Sequence, residues 1–138
     1  MVETETNTLL QRVREVLVGY PSVQAAYLFG SHARGGAAPG SDLDIGLVGP
    51  RDELQARKLD LLTDLTAAGV DRVDLVLLDG ADTVLRFEVV SRNCLVYGQE
   101  GFDHGRYFSR ALREYFDLEP YLRIQREALK RRLLHGQA

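Results

Sequence analysis

Apolar residues recur at helical spacing in Leu9, Leu10, Val13, Val16 and Leu17, with Thr6 or Asn7 as a candidate cap and Gly19-Tyr20-Pro21 as the stop. The next stretch, VQAAYLFG (residues 23–30), is short, apolar and ended by glycine, which predicts a buried strand. SHARGGAAPG is rich in small residues and turn formers and predicts a loop or a very short helix. SDLDIGLVG then alternates, with Leu43, Ile45 and Leu47 on one face and Asp42, Asp44 and Gly46 on the other. That pattern predicts a half-buried strand with carboxylates on its second face. Leu54, Leu61, Leu62 and Leu65 predict an amphipathic helix over 51–67. A strand rich in Val and Leu is expected over 71–80, a helix over 81–91 and a short edge strand in NCLVYG. Helical spacing returns from about His104 to His135, interrupted by Pro120. Proline lacks an amide donor, so two helices are predicted, one ending near Asp117-Leu118 and one beginning near Glu119-Pro120. The element order predicts an α/β (α+β) fold, a small mixed sheet flanked by helices, with a C-terminal helical segment over about 104–138.

Composition narrows this picture. A chain of 138 residues predicts one domain spanning 1–138, and 45% apolar with 27% charged residues is a globular profile. There is no run of 18 apolar residues, and MVETETNTLL carries acids where a secretory signal would be basic, so no membrane association and a cytoplasmic location are expected. Cys94 cannot form an internal disulfide and, within the apolar CLVY, reads as a buried structural thiol. His32, His104 and His135 are scattered and match no metal-ligand spacing. The net charge of −3 argues against direct nucleic-acid binding, although Arg123, Arg126, Lys130, Arg131 and Arg132 make the last segment basic.

The chemistry concentrates between residues 30 and 74. Asp42 and Asp44, two apart on a strand, leave one face about 6–7 Å apart along the backbone, and Asp74 sits in VDLV on another strand. Three ionised carboxylates that converge repel one another and call for a cation. Hard oxygen ligands suit Mg²⁺ or Mn²⁺, and a two-metal site would clamp the attacking and leaving oxygens of a displacement. A bare Asp-x-Asp is usually the wet face of a strand, but aspartate is disfavoured in strands and here follows a Gly-Ser turn. Glycine at 30 lets a phosphate approach the backbone, Ser31 offers a hydroxyl and an amide, and Arg34 could reach the same anion with a fork of donors. The plainer account is a turn of small residues with a solvated arginine. Gly-Ser, ten residues and Asp-x-Asp together would arise by chance about once in 500 such chains at typical residue frequencies.

GSHARGGAAPGSDLDIGL resembles the signature of the nucleotidyltransferase superfamily whose fold is shared with DNA polymerase beta. The short chain and the ARG after Gly-Ser resemble its minimal (MNT) branch, the antitoxin partners of HEPN-domain toxins. The resemblance implies that Gly30 and Ser31 hold phosphate, that Asp42 and Asp44 bind metal, and that Asp74 helps bind the metal and activates the acceptor hydroxyl. Arg34 fits an arginine common in the minimal branch. The implied reaction is metal-dependent transfer of AMP from ATP to a tyrosine of a cognate HEPN ribonuclease, within a hetero-oligomer, which neutralises the toxin. Two other readings stay open here: a small-molecule acceptor, as in aminoglycoside-modifying nucleotidyltransferases, and a non-catalytic antitoxin that acts by binding and occlusion.

Overall fold

The computed structural model describes residues 2–33 and 41–135. Its elements are α1 (Val2–Leu17), β1 (Ala25–Phe29), α2 (Gly30–Ala33), β2 (Leu43–Val48), α3 (Arg51–Ala67), β3 (Val73–Leu77), α4 (Thr83–Ser91), β4 (Leu95–Gly98) and α5 (His104–Leu134). The strands form one mixed sheet in the order β3-β2-β1-β4. β1 pairs antiparallel with both β2 and β4, and β2 pairs parallel with β3.

Strand alternation divides the core into two layers. On one face Ala26, Leu28, Leu43, Ile45, Leu47, Leu75 and Leu77 pack with Val13 and Leu17 of α1 and Leu54, Leu61 and Leu65 of α3. On the other, Ala25, Tyr27, Val48 and Leu78 pack with Val89 and Val90 of α4 and Tyr107 of α5. Burying a Leu or Ile side chain stabilises the fold by roughly 1.5–3 kcal/mol. The second layer has a polar tie: the Tyr27 hydroxyl lies 2.7 Å from His104 Nδ1, and burial pushes the Tyr27 phenol up to about 12.

Three expectations about local structure change. First, β2 is not half-buried. Gly46 and Val48 are buried as fully as Ile45, and Asp44 is the partly open position, because α4 and α5 cover the second face. Second, neither Thr6 nor Asn7 caps α1; the helix already runs from Val2, and the buried Thr6 turns its hydroxyl to His32. Third, Pro120 lies inside a single 31-residue helix rather than between two. A proline keeps a helix-compatible φ, and this one is exposed, so the chain loses one hydrogen bond without a steric conflict against the core. Glu119 and Arg123, paired at 2.8 Å, brace the turn on the far side. Upstream, the helix is anchored to α4 by the Phe87–Tyr115 stack and by the ion pair of Arg86 with Glu114.

Cys94 is partly buried against the first layer and free, and β4 is the edge strand expected of NCLVYG. Among the described residues no helix is long and apolar enough to cross a membrane.

Only Tyr107 and Ala111 of α5 are buried, so the half beyond Pro120 adds little to the global fold. Pro120→Ala should therefore raise helical ellipticity and slow amide exchange over residues 119–134, while shifting the thermal midpoint by less than about 2 °C. A large midpoint shift would show that the outer half of α5 packs as part of the core.

Candidate active site

Asp44 and Asp74 are register partners across the parallel pair β2–β3, so adjacent strands bring their Cα atoms to within about 5 Å. Alternation puts both on the face covered further along by α4 and α5, at the open end of that layer. Asp42 immediately precedes β2 and is exposed, as is Asp74, whereas Asp44 is partly buried. Burial raises the Asp44 carboxyl above its ordinary value, and the negative charges of Asp74 and Asp42 raise it further; the His32 ring acts in the opposite sense. Asp44 thus feels the other two predicted carboxylates through space.

Gly30 closes the site from the β1 side. It ends the strand with φ +74°, a left-handed value that favours glycine. A Cβ placed there would collide with the Asp44 carboxylate, coming within 3.1 Å of its Cγ. Asp44 therefore rests against the bare α-carbon of the Gly-Ser turn, and the phosphate-loop candidate and the carboxylate candidate form one structure. Ser31 is the second residue of α2. Arg34 lies outside the described residues.

Among the described residues, no three His, Cys, Asp or Glu side chains form a finished cation cage. A hard divalent ion does not need one, because Mg²⁺ commonly takes one or two carboxylates and completes its shell with water and phosphate oxygens. A carboxylate raised by burial and by its acidic neighbours, next to a bare glycine that leaves room for phosphate, suits such an ion. Asp42, Asp44 and Asp74 are the residues that could hold it.

Two neighbours of the site were not singled out by sequence reasoning. The His32 ring lies between the Thr6 hydroxyl, 2.9 Å from Nδ1, and the Ser41 carbonyl, 3.1 Å from Nε2. Its position two residues after Gly30 was visible in the sequence, but a search for metal-ligand spacing passes over a histidine whose partners are a hydroxyl and a carbonyl. The second neighbour is a cavity of about 340 Å³ beside Gly30, lined by Phe29, Ala33, Leu85, Glu88 and Val89 and by Arg92, which follows α4. Residues that a helix brings to a strand end from more than fifty positions away carry no local signal.

Comparison with known proteins gives the family. Residues 11–101 match the family model described as polymerase beta, nucleotidyltransferase. The chain belongs to that family. It is 30% identical over 103 residues to the protein adenylyltransferase MntA of Shewanella oneidensis, covering 75% of this chain and 72% of the relative. A chain of a toxin–antitoxin crystal structure with AMP-PNP superposes with a TM-score of 0.67 at 25% identity, over 91% of this chain and 98% of that one. A chain of the toxin–antitoxin MntA–HepT superposes at 0.62, also at 25% identity, over 93% and 98%. Family membership makes the protein a nucleotidyltransferase, with a mixed sheet, flanking helices and a long C-terminal helix.

Gly30→Ala tests the close approach. An alanine at this φ costs about 1–2 kcal/mol of stability, which the core can absorb. Displacing Asp44 should instead lower nucleotidyl transfer by about 100-fold or more, since misplacement of about 1 Å can cost that much. Circular dichroism melts and a labelled-nucleotide assay on one preparation separate the two effects.

Proposed function

We propose that the chain, acting as one nucleotidyltransferase domain over 1–138, transfers AMP from ATP to a tyrosine hydroxyl of a cognate HEPN ribonuclease toxin and thereby silences it. The observation that carries this reading is the Asp44–Asp74 register pair, with the Asp44 carboxylate held against the bare backbone of Gly30. The naming of a 30% identical relative as a protein adenylyltransferase, and the toxin–antitoxin complexes among similar structures, support the acceptor and the partner.

In this reading Gly30 and Ser31 receive the donor's phosphates through backbone amides, with Arg34 as a further cationic contact. Asp42, Asp44 and Asp74 would hold Mg²⁺ or Mn²⁺, in a one- or two-ion arrangement, which supplies charge neutralisation to the triphosphate and the developing oxyanion. Asp74 takes the proton of the acceptor hydroxyl. The acceptor oxygen forms a bond to the α-phosphorus, the bond from that phosphorus to the bridging oxygen breaks, and pyrophosphate leaves.

The outer part of α5 supplies a docking surface. Phe116, Tyr121, Ile124, Leu129, Leu133 and Leu134 are exposed there. From residue 119 onward the described helix carries Arg123, Arg126, Lys130, Arg131 and Arg132 against Glu119 and Glu127. Exposed apolar side chains interspersed with basic ones fit a toxin face that offers apolar and acidic groups together. Leu129→Asp/Leu133→Asp should weaken co-purification with the toxin by at least about tenfold, as expected for loss of buried contacts. Modification of an isolated acceptor peptide should remain. Unchanged co-purification would place the interface elsewhere.

The decisive experiment incubates the protein with Mg²⁺, α-labelled ATP and the product of the adjacent gene. Label on the neighbour is expected, reduced at least about 100-fold by Asp42→Asn/Asp44→Asn and by EDTA. Preferred use of GTP or CTP would overturn the choice of ATP. An unlabelled neighbour that is still inhibited by the double mutant would establish occlusion instead, and label on an aminoglycoside alone would establish a small-molecule acceptor.

A further inference from the structure

We infer that His32 is a positioning residue which, through the peptide plane between Ser41 and Asp42, fixes the direction in which the Asp42 carboxylate points; this rests on the nucleotidyltransferase reading of the site. Thr6 lies in α1. Among the described residues it is the polar side chain that is buried, at 8% exposure, in a helix whose Val13 and Leu17 are sunk in the core. A buried hydroxyl needs a partner, and here the partner is His32 Nδ1 at 2.9 Å. The other ring nitrogen, Nε2, stands 3.1 Å from the Ser41 carbonyl oxygen.

A carbonyl oxygen only accepts, so Nε2 carries the hydrogen, and in the neutral ring Nδ1 accepts from the Thr6 hydroxyl. The tautomer is set by the two neighbours, in the way that a second contact orients a functional imidazole. The ring thus spans from a fixed post on α1 to the backbone just before Asp42, tying together the two ends of the segment that joins α2 to β2.

The geometry of the peptide unit carries the effect onward. The Ser41 carbonyl and the Asp42 amide share one rigid plane, so holding the oxygen sets the orientation of that plane. On the other side of Asp42, the Leu43 amide donates to the Arg72 carbonyl at 2.8 Å, which holds the next plane. Asp42 lies between two pinned peptide units. One is held by backbone pairing that any sequence could make, and the other by a side chain that can be replaced. Asp44 has pairing on both flanks within β2, whereas Asp42 precedes the strand and relies on the His32 contact.

The test uses the full chain and four substitutions: His32→Ala, His32→Gln, Thr6→Val and Thr6→Ser. A glutamine amide donates to the Ser41 carbonyl and offers an oxygen to Thr6, so it keeps the strut. Serine keeps the hydroxyl and valine removes it at nearly constant volume. Three readouts are taken: Mn²⁺ affinity by electron paramagnetic resonance, steady-state transfer of label from ATP, and amide exchange over residues 41–43.

His32→Ala should weaken Mn²⁺ binding by about tenfold or more, the usual effect of losing an outer contact that orients a ligand. It should lower kcat by about tenfold while moving KM for ATP less than about threefold, and it should speed exchange at 41–43. His32→Gln and Thr6→Ser should stay within about threefold of the parent, and Thr6→Val should follow His32→Ala in part. Parent-like Mn²⁺ affinity, kcat and exchange in His32→Ala would overturn the inference, as would a glutamine variant as impaired as the alanine one. A parent protein that labels no acceptor would defeat the nucleotidyltransferase reading, while Mn²⁺ affinity and exchange would still decide whether His32 holds Asp42.

Discussion

Like charges brought together at the end of two adjacent strands set the terms for this structure. Asp44 and Asp74 are opposite one another because β2 and β3 are parallel and in register, and Asp42 stands one step before the strand. Partial burial of Asp44, and then repulsion from Asp74 and Asp42, raise its carboxyl, a cost that the rest of the sheet must cover. It does so with apolar alternation: the residues flanking Asp44, Leu43 and Ile45, are fully buried in the layer formed with α1 and α3. A cation and a polyphosphate would turn that repulsion into a binding energy, which is why such an arrangement persists where catalysis needs it.

Gly30 belongs to the same constraint. The Asp44 carboxylate occupies the space that a Cβ at position 30 would need, and the left-handed φ of Gly30 turns the chain from β1 directly into α2. One glycine therefore performs two tasks, reversing the backbone and clearing room for a carboxylate from the neighbouring strand. The carboxylates and the Gly-Ser turn hold their relation through direct contact, so a change at either is felt at the other.

The two helical layers contribute differently. α1 and α3 form a continuous apolar floor, and α1 also places Thr6 where it can hold His32. α4 and α5 cover the other face as far as Tyr27, Val48 and Leu78, then stop short of the aspartates and leave that end open. α5 continues past the layer that it covers, and its outer half exposes large apolar residues among basic ones. That exposure is why the proposed docking surface is placed there.

Strand and helix positions were legible because burial imposes periods of 2 and 3.6 on the apolar residues, and the edge strand NCLVYG and the helix over 51–67 appear where those periods place them. The aspartates stood out on a related ground: two acids at alternate positions of an otherwise apolar stretch conflict with strand propensity, although only Asp44 lies within β2 and Asp42 immediately precedes it. Local rules failed where a neighbour distant in sequence supplied the deciding contact. Pro120 reads as a break, yet the helix runs through it, braced by Glu119 and Arg123 and anchored upstream to α4. Thr6 reads as a cap, yet its hydroxyl is taken by a histidine twenty-six residues away. By itself the sequence determined most of the elements, the Asp42 and Asp44 spacing and the Gly-Ser turn, because those follow from local chemistry and periodicity. Tertiary structure decided the register that sets Asp44 against Asp74, the contact that makes Gly30 indispensable and the ring that ties Ser41 to α1. Each of these is a distance between segments far apart in the chain, and no local pattern of residue types encodes a distance.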